Sequence, residues 1–247
     1  MMNEFVPKIP LLLSPNKVLC GFTTRNGGVS PAPFESLNCG FTTADTHDNI
    51  LENTAIVYRH AGITAEHAAR MGQVHGSEVK VVHSGGVYNH TDGLTTDKPG
   101  VILCVQVADC IPLLLHDPVH NAVGAIHCGW RPIAAGIAEK ALEIMNEHYG
   151  TDPETVTASM GPAAGQCCYE VGDDVAGELH PGSLINRNGA IFADLKAELS
   201  RRLISVGLKE NNLEISDDCT ICTESLYYSY RRDGKNSGRM LGFIMVK

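Results

Sequence analysis

Apolar positions recur with two periods along this chain, one of strands and one of helices. Val18 to Thr24 reads as a strand that runs into the turn Arg25-Asn26-Gly27-Gly28-Val29-Ser30-Pro31, and Ser36-Leu37-Asn38-Cys39-Gly40 forms a second polar loop. Ile50, Leu51, Thr54, Ala55 and Tyr58 share one helical face, predicting a helix from an Asp48 cap to about Arg59, ended by Gly62. Val79 to Val82 is a short strand. Val101 to Val107 is apolar apart from Gln106, as a buried strand is. Leu113 to His116 and Ala122 to Ile126 are two more strands, turned at Asp117-Pro118 and His120-Asn121. Pro132 suits the first turn of a helix that runs to Tyr149 before Gly150. Its face of Ala134, Ala135, Ile137, Ala138, Ala141, Leu142 and Met145 is small enough for close approach to a sheet. Val156 to Met160 reads as a strand, Asp173 to Leu179 as a short helix, and Leu195 to Val206 as a helix capped by Asp194 and closed by Gly207. Ile215, Tyr227 to Tyr230 and Leu241 to Val246 read as closing strands, with a turn at Asp233-Gly234. The mixture has no strict βαβ rhythm, which predicts an α+β fold rather than a doubly wound sheet. Without a repeat or clear linker, residues 1–247 read as a single domain. Neither a GxGxxG fingerprint nor a Walker loop is present.

Charge and cysteine usage narrow the partners. The 247 residues are 43% hydrophobic and 19% charged, with a net charge of −9 and no Lys/Arg stripe. A nucleic-acid backbone is repelled by such a surface on average, whereas a small anion held by local arginines remains compatible with it. Met1-Met2-Asn3-Glu4-Phe5-Val6-Pro7 lacks a basic leader, and the apolar stretch Ile9 to Leu13 is broken by Pro10 and stopped by Ser14-Pro15. The expectation is neither a signal peptide nor a membrane span. Nine cysteines, an odd number in a chain this long, read as reduced thiols of a cytoplasmic protein.

Three segments each carry one metal-type side chain beside a turn: Gln73-Val74-His75-Gly76, Ala108-Asp109-Cys110-Ile111-Pro112 and Ile126-His127-Cys128-Gly129-Trp130-Arg131. Two imidazoles and one thiolate make three protein ligands with a fourth position free, the layout of a catalytic zinc. Separations of 35 and 17 residues fit converging strands rather than a local finger. Taken one at a time, each residue also fits a packed thiol or a satisfied strand-end histidine; the shared context of all three is what points to metal. Asp109 alternates with Cys110 and so faces away from it, as a base, an orienting carboxylate or a turn former. Arg25, at a Gly-rich turn, and Arg131, before a helix N-terminus, are the candidate anion holders, or else surface ion-pair residues. Asn38 and Gln73 are candidate hydrogen-bonding partners of a polar substrate, or loop structure. Trp130 either covers the site or packs. Cys219-Thr220-Ile221-Cys222 is a lone CxxC, weak as a metal or redox signal.

Taken together the motifs resemble a known family. They are Gly21-Phe22-Thr23-Thr24-Arg25-Asn26-Gly27-Gly28-Val29-Ser30, Ser36-Leu37-Asn38, the three segments above and Gly161-Pro162-Ala163-Ala164-Gly165. Cys168-Tyr169-Glu170-Val171-Gly172, Ser229-Tyr230-Arg231-Arg232-Asp233-Gly234 and Gly238-Arg239-Met240 complete the order. From about residue 18 to 247 the chain is similar to the laccase-domain family, also labelled polyphenol oxidoreductase, purine nucleoside phosphorylase or peptidoglycan editing factor. The resemblance implies stacked mixed sheets flanked by helices in four layers, with zinc held by His75, Cys110 and His127. It implies phosphorolysis of adenosine, inosine, guanosine and S-methyl-5′-thioadenosine, with some adenosine deamination. Catalysis is then expected of Asp109, Cys110 and His127, and substrate binding of Arg25, Asn38, Gln73 and Arg131, with a purine nucleoside and phosphate as small-molecule partners. Two residues depart from the family pattern: Cys128 stands where Ala is usual, and Pro132 where Gly is usual. Two other chemistries stay open. A copper-dependent polyphenol oxidase needs several coppers and many histidines, and of eleven histidines only His75 and His127 fall in the motifs, with no HxH pair; copper nevertheless outcompetes zinc at many sites. A hydrolase of cell-wall peptides would use Cys110 as nucleophile and His127 as base.

Overall fold

The computed structural model describes residues 7–10, 12, 13 and 16–247. The expectations about the leader and the Ser14-Pro15 stop fall mostly outside these residues. In chain order the first elements are β1 (Val18–Phe22), α1 (His47–His60), β2 (Ala68–Gly72), β3 (Val79–Val81), β4 (Gly86–Asn89), β5 (Gly93–Thr96) and β6 (Ile102–Val107). Next come β7 (Ile111–Asp117), β8 (Ala122–Cys128), α2 (Trp130–Ala134), α3 (Ile137–Tyr149), β9 (Thr157–Met160), β10 (Glu170–Val171) and α4 (Asp173–Ala176). The chain closes with β11 (Leu184–Arg187), β12 (Ala190–Ala193), α5 (Leu195–Ser205), β13 (Leu213–Ile215), α6 (Tyr230–Asp233) and β14 (Met240–Val246).

The architecture is mixed α+β. One sheet has the order β1-β14-β6-β2-β4, a second β13-β9-β7-β8-β5-β3, and a small third β10-β12-β11. The two large sheets stack face to face. Leu103, Val105, Leu114, Val123, Ala125 and Ile244 share the core between them. On the outer face of the first sheet, Val57 and Tyr58 of α1 pack against Ile102, Cys104 and Phe243. On the outer face of the second, α3 and α5 bring Ile137, Ala141, Leu142, Leu199 and Leu203 onto Leu113, Leu115 and Ile126. Helix, sheet, sheet and helices thus make the four layers. This explains the continuous apolar runs: every residue of β7, β8 and β14 is buried, because each strand is covered on both faces.

Local chemistry moved several predicted boundaries. Thr46, not Asp48, caps α1; its hydroxyl accepts the N–H of Asn49 at 3.3 Å. Leu51 is solvent-exposed, and Asn53 and Val57 take the buried face instead. The predicted single helix after Pro132 is two helices, broken at Gly136, whose φ of 79° lies in the left-handed region. Tyr227 to Tyr230 is not a strand. Tyr227 and Tyr228 are fully buried in a loop, and α6 begins at Tyr230. A strand expected to end near His75 is β2, which stops at Gly72; strands β4, β5 and β10 to β12 were not predicted, being short, with β4 and β11 largely exposed, so no alternating pattern marks them.

One buried carboxylate fastens α5 to its neighbours. Glu198 accepts from Arg201 (2.6 Å), Arg202 (2.9 Å), the Ser183 hydroxyl (3.0 Å) and the His180 N–H (3.2 Å), and Arg202 also reaches Glu139 of α3 at 3.0 Å. Burial alone would raise its pKa, but the two guanidiniums and the hydroxyl outweigh burial and hold it at about 2. A depressed carboxylate contributes stability above its unfolded pKa and loses it as pH falls through the folded value. Glu198→Gln is therefore expected to cost about 2–3 kcal/mol at pH 7. Urea unfolding between pH 5 and 2.5 checks it: the wild type should lose stability more steeply than the variant across that window.

Candidate metal centre and its cavity

Three segments meet where the chain passes between the two large sheets. His75 follows β2, Cys110 lies on the three-residue crossing from β6 to β7, and His127 is near the end of β8. The ligand atoms of these three side chains all lie within 4.8 Å of one another. The two imidazoles meet edge to face, with centroids 4.7 Å apart. The backbone is bent to achieve this: His75 has φ 58° and Asp109 φ 85°, both in the left-handed region that a non-glycine residue adopts only under constraint. Gly129 completes the geometry. A Cβ there would sit 2.9 Å from the Cys110 sulfur and 3.3 Å from His75 Nδ1, so a side chain would intrude on the ligands.

The constraint on His75 comes from Asp92, immediately before β5. Its carboxylate accepts three successive backbone N–H groups, from Val74 (3.1 Å), His75 (3.0 Å) and Gly76 (2.8 Å). The same carboxylate lies 2.7 Å from His127 Nδ1, and the Asp92 carbonyl accepts the His127 N–H at 2.7 Å. Burial opposes ionisation of Asp92, but the His127 bond and the backbone N–H groups overcome it and lower its pKa. An ionised partner makes His127 Nδ1 the protonated nitrogen and leaves Nε2 for the cluster, the usual carboxylate–histidine–metal relay. Burial alone disfavours a charged His127, yet Cys110 and Asp92 beside it together raise it to about 9. Burial and the neighbouring His127 lower His75.

The donor set suits one metal ion of zinc type: two imidazoles and a thiolate in reach of each other, with a carboxylate behind one imidazole. Among the described residues, the only other close donor group is Cys167, Cys168, Cys219 and Cys222, which has no histidine. The cluster opens into a cavity of about 870 Å³, within the range that holds a nucleoside-sized molecule. Four arginines line it, each stacked on an aromatic ring: Arg70 on Phe41 (4.1 Å), Arg131 on Trp130 (4.2 Å), Arg231 on Tyr169 (4.7 Å) and Arg239 on Tyr230 (5.4 Å). The protein is acidic overall, but this cavity is locally cationic.

The predicted site residues divide on placement. His75, Cys110, His127, Asp109, Gln73 and Arg131 line the cavity, whereas Arg25 and Asn38 do not. Arg25 donates to the carbonyls of Glu35 (2.8 Å) and Glu224 (3.2 Å) and stacks on Tyr228, so it braces a loop. Asn38 is fully buried; its carbonyl accepts the N–H groups of Gly40 and Arg239, which sets the segment carrying Arg239. Gln73 exchanges two 2.9 Å hydrogen bonds with the backbone of Gln106, extending the β2–β6 pairing through a side chain. Asp109 has both oxygens engaged at 2.6 Å, by the Thr220 hydroxyl and the Arg231 N–H. It holds the C-terminal wall of the cavity against the Cys110 crossing. Sequence reasoning missed Asp92, Arg70 and Arg239. Asp92 stands between β4 and β5, where no strand was predicted. Arg70 falls in β2, whose extent the sequence did not define.

Residues 19–247 match the family model described as multi-copper polyphenol oxidoreductase laccase. The chain belongs to this laccase-domain family. A curated member from Deinococcus radiodurans, named purine nucleoside phosphorylase, is 37% identical over 243 residues, covering 96% of this chain and 93% of that protein. Purine nucleoside phosphorylase YfiH of Escherichia coli is 32% identical over the full length of both. The crystal structure of a Bacillus licheniformis protein titled hypothetical protein YfiH superposes with a TM-score of 0.93 at 32% identity, over 99% of this chain and all of that one. The laccase-domain chain described here therefore shares its architecture with that solved structure over the whole length of the latter.

The Asp92 relay generates a prediction. Asp92→Asn leaves an amide against His127 and is expected to weaken zinc affinity about 10–100-fold. Chelator competition on the purified protein measures it; an unchanged affinity would remove Asp92 from the site's account.

Proposed function

We propose that this chain is a zinc-dependent purine nucleoside phosphorylase acting on adenosine, inosine, guanosine and S-methyl-5′-thioadenosine. The observation that carries the reading is a His75–Cys110–His127 cluster opening into a cavity walled by arginines and aromatic rings. The relatives' printed names support it. In phosphorolysis a phosphate oxygen bonds to the ribose C1′ as the bond from C1′ to the purine nitrogen breaks. The site must hold an anion, hold a flat base and keep the two aligned. Arg70 and Arg131 suit the anion: both line the cavity, and among the described residues neither guanidinium has a carboxylate within 4.0 Å. Phe41, Trp130, Tyr169 and Tyr230 offer faces for a purine. Asp109, with both oxygens committed, acts by positioning Cys110 and Arg231 rather than by carrying a proton. Zinc on His75, Cys110 and His127 would supply a Lewis acid and, with water bound, the nucleophile for a secondary adenosine deamination.

His75 favours this reading over a Cys110–His127 hydrolase, because a nucleophilic pair has no use for a second imidazole edge-on to its base. One His2Cys set also falls short of the several coppers of a phenol oxidase.

The test uses purified protein, inosine and inorganic phosphate, with hypoxanthine and ribose 1-phosphate measured. Both products are expected only when phosphate is present. Arg131→Ala is expected to raise the KM for phosphate about 10–100-fold, while Arg25→Ala leaves that KM unchanged. Adenosine without phosphate should release ammonia slowly. Zinc-loaded protein that makes no ribose 1-phosphate, or copper-loaded protein that consumes oxygen with a phenol, would overturn the proposal.

A further inference from the structure

Four cysteines form a second cluster that the nucleoside reaction does not use. Cys167 and Cys168 sit on the loop before β10, and Cys219 and Cys222 on the loop after β13. Their four sulfurs all lie within 4.8 Å of one another. Cys222 is 3.3 Å from the Cys167 sulfur and 3.2 Å from the Cys168 sulfur. A sulfur equally close to two others marks a shared centre rather than one disulfide pair. Tetrahedral Zn–S bonds of about 2.3 Å place neighbouring sulfurs about 3.8 Å apart, inside this range. We propose that Cys167, Cys168, Cys219 and Cys222 bind a second, structural zinc ion as a tetrathiolate.

Two further features fit a bound metal dianion. Cys219 accepts the Gly165 N–H at 3.3 Å, an orienting bond to sulfur, and a Cβ at Gly165 would press on the Cys167 sulfur at 3.2 Å. Cations surround the loops: Arg232 donates to the carbonyls of Thr220 and Ile221, and buried Lys196 donates to the carbonyl of Asp218 at 3.0 Å. On binding, each thiol that is still protonated releases its proton to solvent, and the ion joins two loops more than fifty residues apart. Both loops build the cavity wall. Tyr169 follows Cys168 and stacks under Arg231, and Thr220 follows Cys219 and bonds Asp109. The second zinc would thus act as a fastener of the substrate cavity, independent of what the cavity binds.

Metal content of protein purified under reducing conditions without added metal tests the proposal. The expected result is about two zinc ions per wild-type chain, about one in Cys222→Ser, about one in His75→Ala and none in the double variant. Equal zinc in wild type and Cys222→Ser would overturn it. So would an intact mass two daltons low that reports a disulfide among these cysteines in the as-purified protein. Should Cys222→Ser fail to fold, cobalt substitution of Cys110→Ala decides instead. That protein has lost the sulfur of the first site, so intense sulfur-to-cobalt absorption is expected from the four cysteines alone. Its absence would overturn the assignment.

Discussion

The Asp92 carboxylate is the constraint on which the rest of the centre depends. It collects three consecutive backbone N–H groups around His75 and the ring of His127. Without it, His75 has no reason to adopt a left-handed backbone, and His127 has no fixed tautomer. A carboxylate that accepts this many donors remains ionised even when buried, and its charge in turn favours a cation nearby. The two stacked sheets supply the rigidity. They fix β2, β6, β7 and β8; His75 and Cys110 lie on the connections beside those strands, and His127 lies near the end of β8 itself.

The second constraint is electrostatic. A protein of net charge −9 presents a cavity lined by four guanidiniums. Each lies over an aromatic ring, which limits its freedom, and Arg231 and Arg239 are further held by the backbone carbonyls of Glu170, Ser237 and Gly238. The rings and cations thus form one surface, suited to a ligand that is part anion and part flat heterocycle. The loops carrying Tyr169 and Thr220 bring the C-terminal wall to this surface, and Asp109 bonds that wall to the crossing that carries Cys110.

Much of this was legible in the chain. The long apolar strands β6, β7, β8 and β14 announced themselves because burial on both faces leaves no polar interruption. His75, Cys110 and His127 stood out because each sits beside a turn residue. What escaped notice was information carried by partners distant in sequence. Asp92 looks like any loop carboxylate until His75 and His127 are folded around it. Arg25 and Asn38 look like substrate contacts, since a Gly-rich turn and a polar loop suit an anion, yet they lie off the cavity and bond protein groups as far off as Glu224 and Arg239. The CxxC at Cys219 looked weak because its complement, Cys167-Cys168, lies on another loop and lacks the spacing of a local metal motif.

The central claim is that one ion sits among His75, Cys110 and His127 with its open side toward an anion cradled by arginine. Anomalous diffraction at the zinc edge, from crystals grown with inorganic phosphate, addresses it directly. The account predicts an anomalous peak bonded to all three side chains and phosphate density against Arg131. A cluster without such a peak in zinc-replete crystals, or phosphate bound at Arg25 instead, would contradict it.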